Sequence, residues 1–80
     1  MEKVRFNILF GEYIRKVRVA KGLTQIDVAS AIGVNPQNIS AIERGEVSPT
    51  LFWIYKLCVA LDLDSQVIIS NFFKQMPLQD

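Results

Sequence analysis

The segment "GVNPQNISAIERG", residues 33–45, brings several hydrogen-bonding side chains close together. The amides of Asn35, Gln37 and Asn38 and the hydroxyl of Ser40 fall within six residues. Because an amide carries both a donor and an acceptor, such a row can form paired hydrogen bonds with another polar surface. The alternative is that these groups only cap a helix and face solvent. The elements around them bear on this choice.

The composition of the chain excludes several classes of protein. The 80 residues are half hydrophobic, which predicts a single domain over 1–80 with a modest core. One cysteine and no histidine argue against a disulfide framework, a metal site and an enzyme that uses histidine as its base. No apolar run approaches the ~18 residues of a membrane span. We expect a cytoplasmic protein that needs no cofactor.

Charge is distributed unevenly along the chain. Residues 1–45 contain seven Lys and Arg against four Asp and Glu, whereas residues 46–80 contain two against four. A basic N-terminal half suits a polyanionic partner, and an acidic C-terminal half does not. The alternative is an ordinary scatter of surface charges.

Capping residues, glycines and prolines divide the chain into helices. Thr24 followed by Asp27 is a capping-box pattern, and Asn35 before Pro36 is typical of a helix start. Ser48 precedes a proline in the same way, and Asp64 or Ser65 is the expected cap of the last helix. With apolar residues at helical spacing, these signals predict five helices at about 8–21, 25–32, 36–44, 49–61 and 65–74.

Two of these helices have the spacing of a helix-turn-helix. Helices 25–32 and 36–44 are joined by a three-residue turn that begins with Gly33. Such a pair crosses steeply, and its second helix can enter the major groove of DNA. Ala29 is the small residue expected at the crossing. The apolar residues expected between the helices are Val28, Ile32, Val34, Ile39 and Ile42.

The segment from about Phe10 to Leu63 resembles the Cro/cI-type (XRE-type) helix-turn-helix family of transcriptional regulators. The resemblance is carried by the skeleton "LTQ…A…IGV…IS.IERG..SPT" and covers about two thirds of the chain. It implies an all-α, five-helix, lambda-repressor-like fold and sequence-specific binding of double-stranded DNA. It also implies that helix 36–44 is the recognition helix.

The resemblance gives the crowded amides a role in contacting bases. It implies that Gln37 and Ala41 face the bases, with Gln37 hydrogen-bonded to a base edge and Ala41 beside a thymine methyl group. Asn38 and Ser40 could reach a base or a phosphate. Pro36 departs from relatives, which often have glutamine there, so only apolar contact is expected from it. The base preferences of those relatives are therefore not transferred to this chain.

Phosphate contacts are expected around the recognition helix. The residues concerned are Thr24, Gln25, Asn35, Arg44 and Thr50. Thr24 and Gln25 begin a helix whose free N–H groups favour an anion. For Arg44 the alternative is a solvated side chain that complements the helix dipole. The resemblance also implies an ion pair between Arg18 and Glu43, linking the first helix to the end of the recognition helix.

The C-terminal part of the chain, about 50–76, has more apolar residues than one helix face can bury. The predicted partner is a second copy, which would place two recognition helices ~34 Å apart on a palindromic site. The residues expected at this dimer interface are Phe52, Trp53, Val59, Val67, Ile68, Phe72 and Phe73. The alternative is a monomer in which Phe6, Leu9 and Phe10 cover the patch.

Three functional interpretations follow. The first is a homodimeric transcriptional regulator. The second is an antitoxin-like or other protein-binding module, whose apolar C-terminal surface holds a protein partner. Small size and an apolar fifth helix also resemble the controller proteins of restriction–modification systems, which is a special case of the first. An enzyme is not expected.

Overall fold

The computed structural model describes residues 2–76, which form an all-α fold. The helices are α1 (Lys3–Ala20), α2 (Gln25–Ile32), α3 (Pro36–Glu43), α4 (Leu51–Ala60) and α5 (Ser65–Asn71), followed by a short 3-10 helix, η1 (Phe73–Gln75). The predicted all-α, five-helix class is confirmed. No helix within this part of the chain combines the length and the apolar character that crossing a membrane requires.

Three predicted helix limits were wrong. α1 begins at Lys3 rather than near residue 8, because no helix breaker interrupts the residues before Phe10. α4 begins at Leu51 rather than Pro49, because the hydroxyl of Thr50, not that of Ser48, accepts the capping hydrogen bond from the Trp53 N–H at 3.2 Å. The last predicted helix, 65–74, is divided into α5 and η1.

The caps of the helix-turn-helix agree with the sequence. The Thr24 hydroxyl accepts from the Asp27 N–H at 3.0 Å, and the Asp27 carboxylate accepts from the Thr24 N–H at 2.8 Å. The hydrogen bond that the Asp27 carboxylate accepts from the Thr24 N–H, together with one to the Thr24 side chain, holds the pKa of Asp27 below its ordinary value. Asn35 caps α3 with Pro36 at its first position. Gly33 has a φ of 72°, the left-handed conformation that lets α2 end and the chain turn into α3.

The described helices share one apolar core. Its buried members are Phe10, Ile14, Val28, Ala29, Ile39, Ile42, Leu57, Leu61, Ile68 and Phe72. The last two require a correction, because the sequence analysis assigned Ile68 and Phe72 to a dimer interface. They are only 3% and 4% exposed, so they pack inside a single chain and offer almost no surface to a partner.

The crossing of α1 over the end of α3 depends on Gly11. A Cβ atom at this position would lie 2.6 Å from the carbonyl oxygen of Glu43 and even closer to that of Ile42. Both neighbours are backbone atoms, so no side-chain rearrangement can make room. The close approach of α1 to the end of α3 therefore requires glycine at position 11.

Candidate nucleic-acid interface

One face of α3 holds this helix against the rest of the molecule. Ile39 and Ile42 are buried in the core, and Glu43 is the third buried residue of the helix. α3 packs against both α2 and α1. Because these contacts fix the rotation of α3 about its axis, its opposite face stays turned outward.

The outward face of α3 carries the residues predicted to contact bases. Gln37 and Asn38 are exposed, whereas Pro36, Ser40 and Ala41 are half-buried. Residues three or four positions apart share one side of a helix, so the two amides stand beside Ala41. This arrangement offers amide donors and acceptors next to a small apolar surface, which is the combination that can match base edges in a major groove.

Three of the predicted phosphate contacts are caps, namely Thr24 on α2, Asn35 on α3 and Thr50 on α4. The Oδ1 atom of Asn35 accepts from the Gln37 N–H at 2.9 Å, so its amide NH2 is the group that remains to donate to an anion. The hydroxyl of Thr50 caps α4 in the same way. Asn35 and Thr50 are both exposed. In the sequence, Asn35 comes directly before α3 and Thr50 comes after it.

A buried ion pair joins three elements beneath α3. The guanidinium of Arg18 donates to both carboxylate oxygens of Glu43, at 2.7 and 3.0 Å, and to the Leu23 carbonyl at 2.8 Å. The side chains of Arg18 and Glu43 are only 11% and 2% exposed. The hydrogen bond to Glu43 raises the pKa of Arg18 above its ordinary value. The predicted ion pair is present, and it ties α1 to the start of α2 and to the end of α3.

Gln25 takes part in this ion-pair cluster. Its Nε2 donates to a Glu43 oxygen at 3.1 Å, and the residue is half-buried. The sequence analysis placed Gln25 on a phosphate, and the structure directs its side-chain NH2 group to Glu43. The sequence gives no signal for this contact, because the two residues are separated by 18 positions.

Glu46 is a residue that the sequence analysis did not single out. Its carboxylate accepts from Nε and Nη2 of Arg44 at 2.8 and 3.0 Å, and Nη1 of Arg44 donates to the Ser40 hydroxyl. The pairing lowers the pKa of Glu46 and raises that of Arg44 relative to their ordinary values. The sequence signal for this pair is that Arg44 and Glu46 have opposite charges and are separated only by a glycine.

A cleft of about 280 Å³ lies between α3 and the start of α4. The residues that line it include Asn38, Ala41, Val47, Pro49, Thr50 and Trp53. Trp53, which was predicted at the dimer interface, lines this cleft. It is half-buried, packs against the core and faces the side of α3 that carries the exposed amides.

α4 and α5 share an apolar surface on another side of the molecule. We call the exposed residues Leu51, Phe52, Tyr55, Val59, Val67 and Ile69 the apolar α4–α5 face. A groove of about 410 Å³ runs along it, and its lining consists of Leu51, Ile54, Tyr55, Cys58, Ser65, Ile68, Ile69 and Phe73. Burial raises the pKa of the Cys58 thiol, as expected for a small apolar residue of the groove wall. Leu51, Tyr55 and Ile69 were not among the predicted interface residues.

The N-terminal aromatic residues cover only part of the C-terminal apolar residues. Phe6 stacks on Phe10 and Phe73, with ring centroids 6.2 and 6.3 Å apart, and meets the edge of Phe72 at 5.7 Å. Leu9 packs against the core from the same helix. These contacts explain the burial of Phe72, but they leave the apolar α4–α5 face exposed.

A family model described as helix-turn-helix (HTH_3) matches residues 14–68 of the sequence. The chain belongs to this helix-turn-helix family. The predicted XRE-type resemblance is thereby confirmed, and the family is one of DNA-binding regulators of transcription. The match includes α2, α3 and α4 in full, so every residue predicted to contact DNA lies inside it.

Several known proteins are similar to this helix-turn-helix protein over most of its length. It is 34% identical over 62 residues to the HTH-type transcriptional regulator y4dJ of Sinorhizobium fredii, covering 78% of this chain and 80% of that protein. It is 36% identical to the restriction–modification controller protein C.AhdI of Aeromonas hydrophila, with a TM-score of 0.70 over 74% of this chain and 89% of that one. The controller C.Esp1396I, solved as a tetramer in complex with its natural 35-base-pair operator, is 26% identical with a TM-score of 0.80, over 86% and 91%.

Proposed function

We propose that this protein is a sequence-specific transcriptional regulator that binds a palindromic site in double-stranded DNA as a homodimer. In this proposal α3 lies in the major groove. The observation that carries it is the outward face of α3, where Gln37 and Asn38 are exposed beside Ala41 on a helix held by core contacts. We place its action in the cytoplasm of a bacterial or phage-infected cell.

Each side chain of the outward face has a proposed role. Gln37 reads a base edge through its amide, and Ala41 contacts a thymine methyl group or leaves room for one. Asn38 and Ser40 contact a base or a phosphate, and Pro36 contributes apolar contact only. These assignments follow the family resemblance, and the exposure of Gln37 and Asn38 supports them.

Backbone contacts around α3 set the position of the protein on DNA. Thr24 and Asn35 would approach phosphates at the starts of α2 and α3, and Thr50 at the start of α4. Arg44 would approach one at the end of α3. Gln25 is proposed to contribute through its backbone N–H at the start of α2, because its side-chain NH2 is bound to Glu43.

The second copy is proposed to pack on the apolar α4–α5 face. Leu51, Phe52, Tyr55 and Val59 are each more than 60% exposed, and all lie on one helix of ten residues. Such a continuous apolar face is unusual on a monomer and fits a self-complementary interface about a two-fold axis. The C-terminal part of the chain, about 50–76, would thus hold two α3 helices one DNA turn apart.

A restriction–modification controller is the specific regulator that we consider first. The 36% identity to C.AhdI and the likeness to operator-bound C.Esp1396I support this narrower assignment. An antitoxin-like protein would use the same apolar face to hold a protein partner. In a controller protein a second copy of the chain would pack on the apolar α4–α5 face, whereas in an antitoxin-like protein a different protein would.

Selection of bound duplexes from a random DNA pool tests sequence-specific binding. At about 150 mM salt nonspecific phosphate contacts are weak, so enrichment reports base recognition. We expect an enriched palindrome whose half-sites are centred about 10 base pairs apart. A folded protein that enriches no sequence would contradict the proposal and direct attention to a protein partner of the apolar face.

Replacing Gln37 by alanine tests the base-reading role of α3. We expect specific binding to weaken by ~1–3 kcal/mol and the preference at one base position to relax, because one amide contact is lost. Gln66→Ala is the matched control, since Gln66 is an exposed glutamine near the start of α5. Equal weakening on all sequences would show that Gln37 does not read a base. Selection with each variant provides the measurement.

Replacing Leu51 by aspartate tests the dimer. Leu51 is 83% exposed and lies in the first turn of α4, where an acidic residue is compatible with the helix. Burying its charge at an apolar interface should weaken self-association by about 100-fold. Val4→Asp is the control, because Val4 is 66% exposed on another helix. In sedimentation equilibrium Leu51→Asp should be a monomer, whereas wild type and Val4→Asp should be dimers. A wild-type-like mass for that variant would rule out this interface.

A further inference from the structure

The helix-turn-helix segment carries little positive charge of its own. Between residues 24 and 50 the only basic residue is Arg44, whereas Asp27, Glu43 and Glu46 are acidic. Asp27 is committed to the cap of α2, and Glu43 is buried against Arg18. The charge that this segment offers to a phosphate therefore depends on how Arg44 and Glu46 are arranged.

Each of the three nitrogens of the Arg44 guanidinium donates a hydrogen bond within the chain. Nε and Nη2 form a bidentate pair with Glu46, and Nη1 donates to the hydroxyl of Ser40. Glu46 thus occupies the Nε–Nη2 edge, which is one of the two guanidinium edges that can hold a phosphate bidentately. Both side chains are 55% exposed, so an incoming phosphate can reach the pair and the pair can open.

We propose that Glu46 is an intramolecular competitor for the DNA phosphate that binds Arg44, and that it limits the affinity of this protein for DNA. This inference rests on the proposed function. For a phosphate to bind the Nε–Nη2 edge of Arg44, one bidentate anion must be exchanged for another. Glu46 is then left unpaired beside a polyanion, where like charges repel. The Ser40 hydroxyl keeps the released Arg44 close to the outward face of α3.

The test compares four variants with wild type on a mixed-sequence duplex of about 25 base pairs at roughly 50 mM salt, where phosphate contacts dominate. Glu46→Gln removes the competitor and should tighten binding by about 3–10-fold. It should also make the slope of log K against log salt more negative by up to about 0.9, because one more phosphate is neutralised. Glu12→Gln is the matched control. It removes the same charge from an exposed site on α1 near α5, and we expect less than about a 1.5-fold effect.

The second part of the test asks whether the effect of Glu46 on DNA affinity depends on Arg44. Arg44→Gln should weaken binding, and adding Glu46→Gln to it should tighten binding by clearly less than Glu46→Gln does in wild type, because the competition for Arg44 is gone and only the like-charge repulsion of Glu46 is relieved. Equal affinities for Glu46→Gln and Glu12→Gln would overturn the competition while leaving DNA binding intact. If neither wild type nor any variant bound DNA, the proposed function would fail as well. Thermal unfolding checks that each variant is folded.

Discussion

Replacing Gly11 by alanine should destabilise the folded chain by about 2–4 kcal/mol, although alanine is the better helix former by about 1 kcal/mol. The reason is the crossing of α1 over the end of α3. The new Cβ atom would lie 2.6 Å from the Glu43 carbonyl oxygen and 2.9 Å from its carbonyl carbon. Backbone atoms in a packed crossing cannot move aside one at a time, so the helices must separate.

Urea unfolding gives the measurement for Gly11→Ala, and Glu12→Ala is its control. Glu12 is the adjacent α1 residue and is exposed, so its replacement tests helix propensity without a new contact. DNA binding should fall with Gly11→Ala even where the variant is folded, because α3 is displaced. An unfolding free energy equal to or above that of wild type would show that α1 and α3 do not approach this closely.

Replacing Arg18 by methionine should cost about 3–5 kcal/mol of unfolding free energy, because it leaves a buried carboxylate without its partner. Glu43 is 2% exposed and receives two hydrogen bonds from Arg18. The Leu23 carbonyl loses a donor as well. The only donor to Glu43 that remains from this cluster is Gln25.

A double variant separates charge from packing in this cluster. Arg18→Met/Glu43→Leu should recover most of the loss, since an apolar pair of similar volume often replaces a buried ion pair without penalty. Recovery should be incomplete because Gln25 and Leu23 keep unpaired polar groups. Arg15→Met is the control, as Arg15 is an exposed arginine on the same helix. If Arg18→Met and Arg15→Met had equal unfolding free energies, the ion pair would have no structural role.

The α2–α3 unit was the part of the fold that the sequence predicted best. The Thr24–Asp27 capping box, the Asn35–Pro36 start and the Gly33 turn lie in the structure where the sequence indicated them. Each depends on residues at most a few positions apart, and such local interactions are encoded by spacing alone. The start of α4 was predicted wrongly because Ser48 before a proline is a typical helix cap. In the structure Thr50 is the cap instead, and α4 begins at Leu51.

The roles of side chains that meet across the fold were predicted less well. Ile68 and Phe72 were assigned to a partner surface because α4 and α5 are apolar on several faces. The pattern of one helix shows which residues are apolar but not which neighbour covers them. Phe6 packs on Phe72 although the two residues are far apart in the sequence. Trp53 lines the cleft beside α3.

By itself, the sequence determined the family, the five helices and the polar outward face of the recognition helix, because capping, helical periodicity and turn glycines act over a few residues. The tertiary structure alone decided three further matters. Gln25 turns to Glu43, Glu46 occupies Arg44, and the exposed apolar surface centres on Leu51 and Tyr55. Each depends on distances between side chains in the folded molecule, and the order of residues along the chain does not specify those distances.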